Sequence, residues 1–283
     1  MKSWLLGSLV IGAVLTVHSG VAQAESAQEY FAVGEDLLAK ADFPGALRAF
    51  ANAARRDRDN EEYLQRYALV RQVIVMRQRL DGERDDAKWE YMARALHSFY
   101  ISHGLLSEAL PLDTQMHARL NTTYSAKTLA ETQLALQRND DAAQTLADLA
   151  PEKHTAATRA LRALAVARQG DVAQARRLAA GIELTADATP GSLYSVARLN
   201  AAIGDTEQAL DLLAKCLESL APSRQTGFKE HARKSPEFAG LVSTAAFAKV
   251  LETESKIHES ACSGGSRCAS CPMRGQCSGS SDN

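Results

Sequence analysis

Residues 193–216 read LYSVARLNAAIGDTEQALDLLAKC, two amphipathic stretches separated by the break Ile203-Gly204-Asp205-Thr206. Leu193, Val196 and Ala197 recur at helical spacing before the break, and Ala209, Leu213 and Cys216 after it. One such helix–turn–helix pair cannot bury its apolar face alone, so the reading demands neighbours of the same kind.

Working outward, similar breaks stand at Lys40-Ala41-Asp42-Phe43, His103-Gly104-Leu105-Leu106, Arg138-Asn139-Asp140 and Gln169-Gly170-Asp171-Val172. Each is followed by an alanine: Ala46, Ala109, Ala143 and Ala175, with Ala209 closing the series. The steps between them are 63, 34, 32 and 34 residues. A period near 34 built from two helices and a turn is a repeat signature. The long first step is short of two full repeats. It contains an unbroken helical stretch from Glu61 to Leu80, with Leu64, Tyr67, Ala68, Val73 and Ile74 along it, then a polar run from Asp81 to Asp86 and a helix from Ala87 to Ser102.

Composition agrees with an all-α chain. Hydrophobic residues make up 46% but aromatics only 6%, so the apolar surface is mostly Ala and Leu, which favour the helical backbone. The formal net charge of −2 shows no nucleic-acid footprint and no polybasic membrane patch.

The pattern resembles the tetratricopeptide repeat family. In the first repeat Tyr30, Val33, Gly34 and Leu37 take the large–large–small–large places of the first helix, and Phe43, Ala46, Phe50 and Ala53 those of the second. In the last repeat Leu193, Val196, Ala197, Gly204, Ala209, Leu213 and Cys216 fall on the same frame. Around Ala163 to Gly170 the frame fits only with a shift. Residues 225–257, with Pro236-Glu237-Phe238, Leu241, Phe247 and Leu251, look like the closing segment that follows such arrays in some exported bacterial proteins. A closing segment is physically required, because the last repeat otherwise exposes an apolar face.

The resemblance implies a right-handed α-solenoid of about five to six helix-turn-helix repeats, with a helical cap and an irregular tail. The implied layout is a signal peptide at 1–24, the array at 25–221, the cap at 222–258 and the tail at 259–283. It also implies a concave groove, lined by the first helices, that binds a protein partner. The groove positions in the first helix are Gln28, Phe31 and Glu35, and in the third unit Arg94, Ser98 and Ile101. Members that clamp a C-terminal carboxylate carry Lys and Asn at such places. Their absence here points to a mixed apolar and polar groove.

The two ends carry separate signals. Lys2, an apolar run from Trp4 to Val17 and Ala22-Gln23-Ala24 form a secretory signal, with cleavage expected before Glu25. The apolar run is short and holds Gly7, Ser8 and Gly12, so no membrane span is expected once the signal is removed. The expected location is periplasmic or secreted. Cys262, Cys268, Cys271 and Cys277 stand in a Gly/Ser-rich tail with spacing C-x5-C-x2-C-x5-C. Three chemistries fit: two disulfides, a four-thiolate site for zinc or an iron–sulfur cluster, or a redox-active C-x-x-C. The alternative to a partner-binding scaffold is therefore a metal-handling or redox accessory protein. Cys216 falls on a small packing position and reads as a buried free thiol.

No phosphate-cradling loop, nucleophile elbow or H-E-x-x-H pair occurs, and His97, His103 and His117 form no site by spacing. The expectation is a protein that is not an enzyme.

Overall fold

A computed structural model describes residues 26–257, and these are helices and connections with no strand among them. They divide into two units, the first ending at Arg84. None of the described helices is long and apolar enough to cross a membrane.

The first unit comprises α1 (Ala27–Ala39), α2 (Phe43–Arg56) and α3 (Glu61–Leu80). Each begins where a short polar side chain accepts a free helix N–H. Ser26 and Glu29 form a reciprocal box, the Gly45 N–H donates to Asp42 at 2.9 Å, and the Glu62 N–H donates to Asn60 at 3.1 Å. Where α1 crosses α2, Gly34 faces the buried Phe50 ring so closely that a Cβ there would lie 2.5 Å from Phe50 Cε1. The second-helix frame is as expected: Phe43, Ala46, Phe50 and Ala53 are all buried.

Two first-helix positions differ. Val33 is 44% exposed, and Leu38 rather than Leu37 is the fully buried leucine. In the repeat frame Val33 packs against a preceding pair, and α1 is the first described helix.

The long step in the alanine series is explained by α3. A single 20-residue helix stands where a pair would, packed on α2 through Tyr63, Val70, Val73 and Leu80. Steps of seven, three and seven keep these four on one stripe. Leu64, read from sequence as part of the apolar face, is 45% exposed.

The second unit is built of hairpins: α4 (Asp86–Ser102) with α5 (Leu106–Leu120), α6 (Thr123–Ala135) with α7 (Asn139–Ala147), α8 (Ala156–Arg168) with α9 (Val172–Ala179), and α10 (Pro190–Ile203) with α11 (Thr206–Glu218). Each helix packs on the next from α4 to α11. In addition α6 touches α8, and α8 touches α10, so the first helices of successive hairpins share one row. Gly104, Gly170 and Gly204 turn three of the four hairpins with positive φ; in the α6–α7 turn Gln137 takes that conformation at φ 59°.

Ala109, Ala175 and Ala209 are fully buried, but in α7 the buried alanine is Ala142, one place before the Ala143 taken from sequence. With that correction the steps are 33, 33 and 34, evener than those taken from sequence alone. In α8 the first-helix frame looks loose in sequence because Arg159 and Arg162 stand where the first repeat has Tyr30 and Val33, and the second helices of the middle hairpins are short. The α7 helix ends at Ala147 and α9 at Ala179, and irregular chain follows each.

A residue-number offset of 16 links the small first-helix residue to its second-helix neighbour, as Gly34 to Phe50. The same offset relates Ala130 to Leu146, Ala163 to Ala179 and Ala197 to Leu213, all within one apolar cluster. In α4 and α5 it falls on His97 and Asp113. Asp113 is fully buried; it accepts from Thr132 Oγ1 on α6 at 2.6 Å and lies 2.8 Å from His97 Nδ1. Three successive helices are thus joined by a polar contact at a position where the other hairpins of this unit pack alanine and leucine.

The closing segment continues through α12 (Pro222–Lys234), a 3-10 turn at Pro236–Phe238 and α13 (Ala245–Leu251). Phe238, Phe247 and Leu251 are buried; α13 packs on α11, and the turn packs on α10. Cys216 is buried as expected. Its thiol lies 3.2 Å from the Pro190 carbonyl, and desolvation pushes its pKa up to about 12. Residues 1–24 and the cysteines at 262, 268, 271 and 277 lie outside the described residues.

Candidate functional site: the inner groove of the second unit

Along the first helices of the second unit runs a groove of about 570 Å³. The C-terminal half of α4 supplies His97 and Ile101, α6 supplies Lys127 and Glu131, α10 supplies Tyr194 and Arg198, and α12 supplies Phe228 and Lys234. The pairs 127/131 and 194/198 are four residues apart, so both members of each face the same way from their helix. Ile101 is 41% exposed, an apolar side chain open to an incoming partner.

One end of the groove is organised by Glu237 from the 3-10 turn of the closing segment. Its carboxylate, only 2% exposed, accepts from Arg168 Nε at 2.8 Å, from Arg168 Nη2, and from Arg198 Nε at 3.1 Å. Ser235 Oγ also donates to it at 2.6 Å. Burial alone would raise the Glu237 pKa. The Arg198 charge, the Ser235 hydroxyl and the Arg168 charge outweigh burial and hold it at about 2. Arg168 reaches further: its Nη1 donates at 2.7 Å to the Leu134 carbonyl on α6. That carbonyl lies in the last turn of α6 and also accepts from the Gln137 N–H at 3.1 Å. The closing segment therefore ties together three successive first helices as well as covering the end of the stack.

Tyr194 lies between this network and the apolar wall. Its ring meets Phe228 edge-on at 4.8 Å and Phe238 at 6.2 Å, and the Arg198 guanidinium lies 5.7 Å from its centre. Desolvation raises its phenol pKa, against smaller opposing effects of Arg198 and Ser235. Lys127 and Glu131 form an ion pair at 2.9 Å on the face of α6.

Of the sequence-derived groove positions, Ile101 lines this groove. Arg94 is engaged locally, paired with Glu90 at 2.5 Å and stacked on Tyr124 at 3.8 Å, and Ser98 is exposed. In the first unit Gln28 is exposed, Glu35 pairs with Arg66 at 2.8 Å, and Phe31 packs against Phe50 and Tyr63 at 5.5 and 4.8 Å. Sequence reasoning misses Lys127, Glu131, Tyr194 and Arg198. Their i, i+4 spacing on first helices is the signal that finds them once the groove frame is carried into the later hairpins.

No family model matches the sequence, and no curated protein matches it. Among solved structures, the chain is similar to a thermophilic TPR protein of Thermus thermophilus, at 21% identity over 73% of this chain and 97% of that one, with a TM-score of 0.36.

Proposed function

We propose that this chain is a tetratricopeptide-type binding scaffold that holds a segment of a protein partner in the inner groove of its second unit. The observation that carries the reading is the groove itself. Its lining sets the exposed Ile101 and the half-buried Phe228 beside polar side chains already fixed by neighbours, which is how a site gains both contact area and orientation. The reading assigns the groove binding and no catalytic step. Ile101→Asp combined with Phe228→Ala is expected to release a partner that the wild-type protein retains on an affinity column, with unchanged helical circular dichroism. Equal retention by the variant would overturn the reading.

The same reading places the protein outside the cytoplasm, on the strength of the signal pattern in residues 1–24. Intact mass of protein recovered from the native host is expected to correspond to a chain beginning at Glu25. A chain that retains Met1 would count against export by this route.

A further inference from the structure

The Arg198 end of the groove has a chemistry that points to its occupant. Two guanidinium groups, Arg168 and Arg198, share the single carboxylate of Glu237, which leaves one positive charge in excess. The other cations of the wall are balanced: Lys127 by Glu131, and Lys234 by Glu230 on its own helix. Arg198 is 12% exposed and fixed through Nε and Nη2, and among the described residues its Nη1 has no hydrogen-bond partner.

A second, independent observation lies beside it. Tyr194 lines the groove and is 8% exposed, and its hydroxyl is buried without a hydrogen-bond partner. The Ser235 hydroxyl close by donates to Glu237. Leaving such a group unpaired costs about 1–3 kcal/mol, which an arriving acceptor recovers. A fixed guanidinium N–H and a phenol O–H on adjacent turns of α10 are two donors suited to one oxyanion. The wall next to them is apolar, formed by Phe228, Ile101, Leu106 and Leu134. The lining extends over α4, α6, α10 and α12, a run that suits an extended chain rather than a compact molecule.

We propose that the groove takes an extended protein segment bearing a glutamate or aspartate next to a large apolar residue. The carboxylate sits on Arg198 Nη1 and the Tyr194 hydroxyl, and the apolar side chain lies against Phe228 and Ile101. This rests on the groove-binding reading and names its ligand chemistry. Glu131 acts on the Arg198 charge from nearby but is held by Lys127, which leaves Arg198 Nη1 open to the incoming carboxylate.

The test uses fluorescent octapeptides with both ends blocked, so that no terminal carboxylate contributes. One alternates glutamate with leucine and phenylalanine, and the other has glutamine for every glutamate. Anisotropy titrations against the full chain at low salt are expected to show the acidic peptide binding about ten-fold more tightly, the worth of one charge-assisted contact. Tyr194→Phe, which keeps the ring and removes only the unpaired hydroxyl, is expected to weaken the acidic peptide several-fold and leave the glutamine peptide unchanged. Equal binding of both peptides, abolished in both by Ile101→Asp, overturns the acidic ligand while groove binding stands. Binding of neither overturns both. Binding of N-acetylglutamate as tightly as the acidic peptide overturns the choice of a protein segment in favour of a small carboxylate.

Discussion

Replacing Asp113 by alanine is expected to destabilise the second unit by about 1–3 kcal/mol, the cost of leaving buried polar groups without their acceptor. The change removes the one carboxylate that His97 Nδ1 and Thr132 Oγ1 share, and leaves the His97 ring nitrogen without that partner. The informative comparison is the double variant His97→Ala with Asp113→Leu. It recreates at α4 and α5 the alanine–leucine crossing already present at Ala130 with Leu146 and at Ala197 with Leu213. Thr132 then turns its hydroxyl to a carbonyl of its own helix, as threonines in helices do. The double variant is expected to lie within about 1 kcal/mol of the wild type, or above it, because well-packed apolar residues commonly replace a buried polar pair at no loss. Urea denaturation followed by circular dichroism measures both. A double variant as unstable as the single one would show that the position tolerates no apolar crossing.

The second large effect concerns Glu237 and acid. Its folded pKa of about 2 lies below the 4.5 of the free side chain. A depressed carboxylate pKa stabilises the fold in full above the unfolded value. That contribution disappears as pH falls from about 4.5 towards 2. Since the side chain is 2% exposed, solvent screening takes little away, and the shift corresponds to about 3 kcal/mol. Glu237→Gln is therefore expected to be less stable than wild type by roughly that amount at pH 7. The gap should close as both are acidified, because a protonated glutamate resembles glutamine. Urea midpoints of the two proteins between pH 7 and pH 2.5 give the test. A gap that stays constant over that range would mean the carboxylate is not ionised in the folded protein.

Much of the architecture is legible in the sequence because it is local. The break residues, the near-34 period and the unbroken run from Glu61 to Leu80 are periodic signals within a few turns of helix, and the structure places helices there. Buried Cys216 is legible for the same reason. Where sequence reasoning slips, neighbours decide. Val33 is apolar but has no preceding pair to pack on among the described residues, and Ala142 is chosen over Ala143 by the start of α7 at Asn139. The candidate site is mostly illegible. His97 meets Asp113 across a hairpin at a distance of 16 residues, and Arg168 meets Glu237 at 69. Neither distance is a helical spacing, so neither stands out in a search for i, i+3 and i, i+4 partners. Each histidine therefore reads as isolated in sequence, although His97 lines the groove.

The buried Asp113 also bears on how the chain avoids stacking wrongly. Hairpins with nearly identical alanine and leucine crossings are close to interchangeable, and repeat arrays are prone to domain exchange and misassembly for that reason. Asp113 finds its hydrogen-bonding partners only when α4 lies across α5 and α6 supplies Thr132. A chain that slipped by one hairpin would press the carboxylate against leucine. It would forfeit several kcal/mol, enough to disfavour the slipped order by more than a hundred-fold at ~3 kcal/mol. In this stack of near-copies, one acidic residue acts as a key, fixing which hairpin is which before any partner arrives.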